Sequence, residues 1–348
     1  MRRVRRLRGW RRDAARGLAA QRHGRPRAHR AAAFRLGDHA ILQRLHPIFR
    51  PEVNRDIHAL TPLLQAAAVP VPSVVPTRDG RLWVELRDTH PDLDGVWRAL
   101  TLLPGRTFTQ ITSPAQARAA GATLERFHRA LLTSDHAFAF TRPGAHDTHR
   151  HMATLSQAQH DHPHHRLKDD LAPLADALRA QWEAWGDPPA LPPRIIHGDP
   201  KISNFLFRDD HAVSGVVDLD TMAWSSVDVE LGDALRSWCS TASESADRAR
   251  FDLDIFEHAL SGYLEQGRDW LTDAEIASLP AAAERICLEL AARFAADTLH
   301  ESYFRWDPDA APSPGHHNLA RTRNQLLLAQ DIERKRPDLE RRLQKILS

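Results

Sequence analysis

Cysteine is nearly absent from this chain of 348 residues. Cys239 and Cys287 are its only two, and neither stands in a metal-binding or redox spacing. That excludes a disulfide-stapled scaffold and fits a reducing compartment. No apolar run reaches the length needed to cross a bilayer, and the opening residues lack the apolar core of a signal peptide. The pairs Arg2-Arg3, Arg5-Arg6 and Arg11-Arg12 are followed by no hydrophobic segment, so they do not read as a twin-arginine leader. A net charge of only +2 leaves no polyanion-binding signature. The expectation is a cytoplasmic protein without nucleic-acid or membrane partners.

What the chain does contain is a hydrophobic content of 42 %, enough for a sizeable core and for two lobes rather than one. Its most informative stretch runs Arg194-Ile195-Ile196-His197-Gly198-Asp199-Pro200-Lys201-Ile202-Ser203-Asn204-Phe205-Leu206-Phe207. It is followed by Gly215-Val216-Val217-Asp218-Leu219-Asp220-Thr221. Apolar runs bracket a tight polar loop, which places Asp199 and Asn204 on one turn and Asp218 on a neighbouring strand. Phosphoryl transfer asks a protein to position an acceptor hydroxyl, accept its proton and neutralise charge with Mg²⁺. Asp199 suits the base. Asn204 and Asp218 offer the hard oxygens that Mg²⁺ prefers, with phosphates and water completing its shell. Lys201, between base and amide, suits a cation steadying the transferred group.

Together with Glu230-Leu231-Gly232-Asp233-Ala234-Leu235-Arg236, these segments resemble the aminoglycoside phosphotransferase and choline kinase superfamily. Within it the chain is most similar to the branch of N-acetylhexosamine kinases, through Ile41-Leu42-Gln43-Arg44-Leu45-His46-Pro47, Leu102-Leu103-Pro104-Gly105, Leu124-Glu125-Arg126-Phe127-His128-Arg129 and His317-Asn318-Leu319-Ala320-Arg321. The catalytic loop is specific for the superfamily; the other segments suggest the branch. The resemblance runs from about His39 onward. It implies an α+β, two-lobed protein-kinase-like fold, with a small antiparallel-sheet N-lobe and a mainly helical C-lobe. ATP would bind between the lobes. The resemblance further implies ATP and Mg²⁺ as cofactors and a small-molecule acceptor, with a sugar or amino sugar as first choice. Aminoglycoside or choline/ethanolamine kinases are the alternative, and a nucleotide-binding pseudokinase is the reading of another class.

The expected division is an atypical Arg-rich segment over residues 1–35, a nucleotide-binding N-lobe over 36–103 and a C-lobe over 104–348. The opening segment reads as a disordered basic arm, a nucleic-acid tail or a misassigned start. The last is preferred, because the family carries a glycine-containing hairpin here and Gly9, Gly17 and Gly24 form no convincing phosphate-cradling loop. In the N-lobe, His39 to Leu45, Leu82 to Leu86 and Val96 to Leu102 read as strands and Glu52 to Ala67 as a helix. Pro104-Gly105 would form a hinge. Helical spacing marks Ala115 to Leu132, Leu171 to Trp185, Phe251 to Leu264, Ala281 to Phe304 and Asn318 to Arg334.

Several side chains carry more than one reading. Kinase-like folds use a basic residue on a strand of the small lobe to reach the nucleotide phosphates. Arg44 is the choice here, with Glu52 or Asp56 as its acidic partner, unless Gln43 points inward instead. Asp220 reads as a metal or substrate contact, or as a structural acid. Asp233 and Arg236 are expected to brace the catalytic loop, and His197 to scaffold it. His160, His162, His164 and His165 read as a polar connection, and His128 as a packed histidine. Tyr303, Phe304, Arg305, Trp306, His316, His317 and Asn318 read as acceptor lining or as helix-end packing.

Overall fold

A computed structural model describes residues 33–87, 93–209 and 211–348. Most of the Arg-rich opening, including Gly9, Gly17 and Gly24, lies outside the described residues; its last three positions begin the first strand. The chain divides into two compact units, the smaller comprising Met1–Asn54 with Ser73–Leu102 and the larger Arg55–Pro72 with Leu103–Ser348.

The smaller unit is built on one sheet. Its strands are β1 (Ala33–Leu36), β2 (Ala40–Arg44), β3 (Val84–Leu86) and β4 (Gly95–Thr101), in the order β1-β2-β4-β3 and antiparallel throughout. Alternation buries Ala40 and Leu42 from β2, with Trp97 and Ala99 from β4 on the same face. The opposite face carries Gln43 beside Arg98, which is 2 % exposed. A guanidinium at that depth needs acceptors. Its Nε and Nη2 donate to Gln43 Oε1 at 3.1 and 2.8 Å, and Nη1 donates to Asn54 Oδ1 at 3.2 Å.

Helix α1 (Val53–Ala66) follows β2. The larger unit is then mainly helical: α2 (Pro114–Leu131), α3 (Thr148–Asp161), α4 (Lys168–Trp185), α5 (Val227–Trp238), α6 (Leu253–Gly267), α7 (Asp273–His300) and α8 (Pro314–Leu347). The helix starts are chemically specified. Ser113 and Ser313 cap α2 and α8 ahead of prolines at the first turn, Asp252 caps α6, and Thr272 with Glu275 forms a capping box on α7. Apolar residues recur on one face of α2 at Ala117, Ala120, Leu124, Phe127 and Leu131, all buried.

The central α7 packs against α3, α4, α5 and α8. Helices α2 and α6 cross with their backbones in contact: a Cβ on Gly121 would lie 2.0 Å from the Ala259 carbonyl oxygen, and one on Gly262 would lie 2.1 Å from that of Arg118. Only glycine permits this approach.

Two short antiparallel pairs interrupt the helices and carry the polar loop. The strands β5 (Arg194–Ile196) and β8 (Ala223–Ser225) form one, β6 (Phe205–Asp209) and β7 (Ala212–Val216) the other. Ile196, Val229 and Ile286 form a buried cluster that ties β5 to α5 and α7. Among the described residues no helix is long and apolar enough to cross a membrane.

Candidate active site

The polar loop begins where β5 can no longer continue. Gly198 has φ +78°, and a Cβ there would lie 2.4 Å from the Thr221 carbonyl oxygen. The turn frees two backbone donors, and one buried carboxylate takes both. His197 N–H donates to Glu230 Oε1 at 2.8 Å and Gly198 N–H to Oε2 at 2.9 Å. Glu230, in α5, is wholly buried. Burial alone would raise its pKa, but His128, His197 and the Gly198 N–H outweigh it and hold the acid below the usual glutamate range.

His197 joins the two polar segments. Its Nδ1 accepts the Asp199 N–H at 3.3 Å, which leaves Nε2 as the protonated nitrogen, donating to the Val217 carbonyl at 2.9 Å. Thr221 Oγ1 donates to the His197 carbonyl at 2.9 Å, and Val217 N–H to that of Asn204 at 2.9 Å. From α5, Trp238 Nε1 donates to the Pro200 carbonyl at 2.9 Å, and Ser237 Oγ accepts the Ile202 N–H at 3.3 Å. The scaffolding expected of His197 is therefore visible in its contacts.

Asp199, Lys201 and Asn204 converge. Lys201 Nζ pairs with Asp199 Oδ2, and Asn204 Nδ2 donates to the same oxygen at 3.2 Å and to the Asp199 carbonyl at 2.8 Å. Asp199 Oδ1 and Asn204 Oδ1 have no hydrogen-bond partner among the described residues. Burial pushes the Asp199 carboxyl above the ordinary aspartate range despite the pull of Lys201, and Asp233 and Asp218 add to the rise. For Lys201 burial works against the charge, yet Asp199 and its acidic neighbours hold the ammonium above the usual lysine range.

Asp218 departs from the strand position expected of it. β7 stops at Val216, and Asp218 adopts a left-handed conformation, φ 68° and ψ 50°, before a 3₁₀ turn over Leu219–Thr221. Such a backbone is costly for a residue with a Cβ, and it ends the alternation that would have put Asp220 on the same face. Asp218 is exposed and Asp220 is buried. The Asp218 carboxylate makes no hydrogen bond or ion pair among the described residues.

The donor set suits a small hard cation. Both hydrogen bonds of the buried Asn204 side chain come from Nδ2, which leaves the amide oxygen without a hydrogen-bond partner among the described residues, and the exposed Asp218 carboxylate supplies charge. Among the described residues no group of three or more His, Cys, Asp or Glu could hold a metal ion.

Asp233 and Arg236 do not brace the loop directly. Arg236 donates to Asp233 Oδ1 at 3.1 and 2.9 Å and to Glu244 Oε1 at 3.1 Å, and the bracing is done by Glu230, Ser237 and Trp238. Asp233 reaches Asp199 only through its field. The sequence did carry a signal for Glu230: on its own helix face it is flanked by Val227 and Ala234, both buried.

Arg44 belongs to the smaller unit and lies opposite Trp97 in the sheet register, on the other face of β2 from Gln43 and Arg98. Asp56 is committed within the larger unit, accepting from His136 Nε2 at 2.9 Å, Ala139 N–H at 2.8 Å and Phe140 N–H at 3.1 Å. Glu52 pairs with Arg50 at 3.3 Å. In the late cluster, Asp297 gathers the N–H groups of Ser302, Tyr303 and Phe304 and the amide of Asn318. That part of the cluster is helix-end structure. Tyr303 itself remains 52 % exposed, with its hydroxyl accepting from Arg142 at 2.9 Å.

A phosphotransferase enzyme family model matches residues 23–270. The chain belongs to that family. Among solved structures it is similar to a microcompartment-associated aminopropanol kinase, with TM-score 0.56 and 20 % identity over 89 % of this chain and 90 % of that one. It is also similar to an amicoumacin kinase in complex with AMP-PNP and Ca²⁺, with TM-score 0.56 and 14 % identity over 90 % and 92 %. A choline/ethanolamine kinase family protein from Mesorhizobium loti gives TM-score 0.51 and 17 % identity over 96 % and 98 %. The fold is thus kinase-like, with a small antiparallel-sheet N-lobe and a helical C-terminal part, as expected. The protein is an ATP-dependent phosphotransferase acting on hydroxyl groups of small molecules.

The tight turn yields a direct test. Gly198→Ala forces a Cβ against the Thr221 carbonyl at a positive φ, and the variant is expected to lose about 1–3 kcal/mol of stability. Calorimetric unfolding measures this, and an unchanged melting temperature would contradict the rigidity of the turn.

Proposed function

We propose that this enzyme transfers the γ-phosphoryl group of ATP to a hydroxyl of a sugar or amino sugar, as in N-acetylhexosamine kinases, with Asp199 as general base. The carrying observation is the division of labour on its carboxylate. Oδ2 is occupied by Lys201 and Asn204, so the acceptor's proton goes to Oδ1. Asn204 and Asp218 would be the residues that hold Mg²⁺. The ion supplies charge neutralisation for the phosphates. Lys201 steadies the transferred group while keeping Asp199 ionised. Arg44 serves the nucleotide phosphates from the smaller unit, residues 36–103 being the nucleotide-binding part and 104–348 the catalytic part. The buried, free Cys239 and Cys287 fit a cytoplasmic setting.

Support for a sugar comes from an exposed ring in the late aromatic cluster. Nδ1 of His146 lies 3.1 Å from Glu289 Oε1. One turn along α7, the Arg293 guanidinium lies over the exposed Tyr303 ring, 6.0 Å from its centroid. An aromatic face flanked by guanidinium groups suits a polyhydroxylated ring better than a polyamine. The second reading, an amino alcohol or aminoglycoside acceptor, is favoured by what the similar solved proteins are named for.

Asp199→Asn is expected to fold and bind nucleotide but to lose about 10²- to 10⁴-fold in kcat. The pH profile adds a signed test. A base with a raised pKa is protonated at a higher pH than an ordinary aspartate, so the acid limb of kcat/KM stands high. Lys201→Met removes the cation that opposes the rise, and the limb is expected to move further up. A limb that stays put or moves down would remove Lys201 from this role.

The acceptor is tested by competition among N-acetylhexosamines, free hexoses, kanamycin, choline and 1-amino-2-propanol, with products read by mass spectrometry. Phosphorylation of an N-acetylhexosamine ahead of the rest is the expected outcome. Phosphorylation confined to the cationic compounds would sink the sugar reading.

A further inference from the structure

Three buried titratable side chains next to the polar loop have no part in the reaction as described. They are Glu230, His128 and Tyr263, with exposures of 0, 2 and 0 %. They form a row. Tyr263 OH lies 2.7 Å from His128 Nδ1, and His128 Nε2 lies 3.4 Å from Glu230 Oε1, a polar contact longer than a well-aligned hydrogen bond. Burial pushes the Tyr263 hydroxyl well above its ordinary range, so it remains O–H. As donor it makes Nδ1 the acceptor, and the imidazole proton sits on Nε2. Nε2 completes no hydrogen bond among the described residues, and Glu230 Oε1 at 3.4 Å is a close approach short of one.

We propose that His128 is a positioning residue for the catalytic loop, acting through Glu230. The carboxylate holds the loop with one oxygen per N–H, and a third donor on the Oε1 side stops it from pivoting. The polar groups of the row follow one another: Tyr263 O–H meets His128 Nδ1, His128 Nε2 approaches Glu230 Oε1 at 3.4 Å, and the His197 and Gly198 N–H groups donate onto the same carboxylate. The close crossing of α2 and α6 at Gly121 and Gly262 makes the row possible, since it brings Tyr263 within reach of a side chain two turns further along α2. A residue serving only to pack would gain nothing from this arrangement. Its neighbours Phe127 and Leu131 fill the core without polar atoms.

This inference rests on Asp199 as the base, and the experiment separates the two. Steady-state kinetics and melting are measured for His128→Leu, His128→Gln and Tyr263→Phe. Leucine keeps the volume and loses the donor, so kcat is expected to fall about 10- to 100-fold with KM for ATP nearly unchanged. Glutamine can present an N–H to Glu230 and is expected to recover most of the loss. Tyr263→Phe, which releases the tautomer without opening a cavity, is expected to lower kcat by about 3- to 10-fold. Added to Asp199→Asn, His128→Leu should cost only a few-fold more, because His128 acts through Glu230 and the loop on the placement of Asp199.

Unchanged turnover in His128→Leu, a glutamine variant no better than the leucine one, or full additivity with Asp199→Asn would each overturn the proposal. If the leucine variant does not fold, unchanged kcat in Tyr263→Phe overturns it alone. Full turnover in Asp199→Asn by itself would instead remove the base assignment, leaving the comparison of leucine with glutamine to judge His128.

Discussion

A carboxylate with no exposure is tolerable in a protein only when its oxygens are hydrogen-bonded, and backbone N–H groups turned away from a strand are tolerable only when something accepts them. In this enzyme each need meets the other. The turn at Gly198 leaves the N–H groups of His197 and Gly198 without strand partners, and Glu230 takes both. The loop can therefore not move without α5, and Asp199, Lys201 and Asn204 inherit the rigidity of a buried helix. His197 extends the same constraint across to Val217, one residue before Asp218. Removing Glu230 would strand two buried donors as well as losing an acid.

The two aspartates of the site show how surroundings divide labour between identical side chains. Asp199 is half-buried, with one oxygen taken by a cation and an amide, and burial pushes its carboxyl above the ordinary range. That combination fits proton acceptance. Asp218 is exposed and held on a strained left-handed backbone. Strain of this kind persists only where its surroundings enforce it, here through the Val217 hydrogen bonds on one side and the 3₁₀ turn on the other.

The spacing from His197 to Asn204 and the apolar flanks made the loop legible in the sequence, because local chemistry alone demands a turn there. Helical periodicity likewise located the segments at Pro114–Leu131, Lys168–Trp185, Leu253–Gly267, Asp273–His300 and Pro314–Leu347 to within a turn or two, except that α7 begins and α8 ends well beyond the periodic stretches. What stayed hidden depends on tertiary contact. The left-handed turn at Asp218 cannot be read from a run of apolar residues that continues through Val216 and Val217. The flanks of Glu230 mark it as an acid on an apolar helix face but not which N–H groups it takes, and His128 reads as a packed residue because Tyr263 is 135 positions away in the chain. The helix Thr148–Asp161 was missed because its histidines and glutamines blur the apolar stripe of Met152, Leu155 and Ala158.

The central claim is that Asn204 and Asp218 serve the metal while Asp199 is reserved for the acceptor. A crystal structure with Mg²⁺ and a non-hydrolysable ATP analogue tests it most directly. The account predicts Asn204 Oδ1 and an Asp218 carboxylate oxygen at about 2.1 Å from Mg²⁺, with Asp199 Oδ1 free of metal. A Mg²⁺ ion ligated by Asp199, or phosphates bound with neither Asn204 nor Asp218 on the ion, would contradict it.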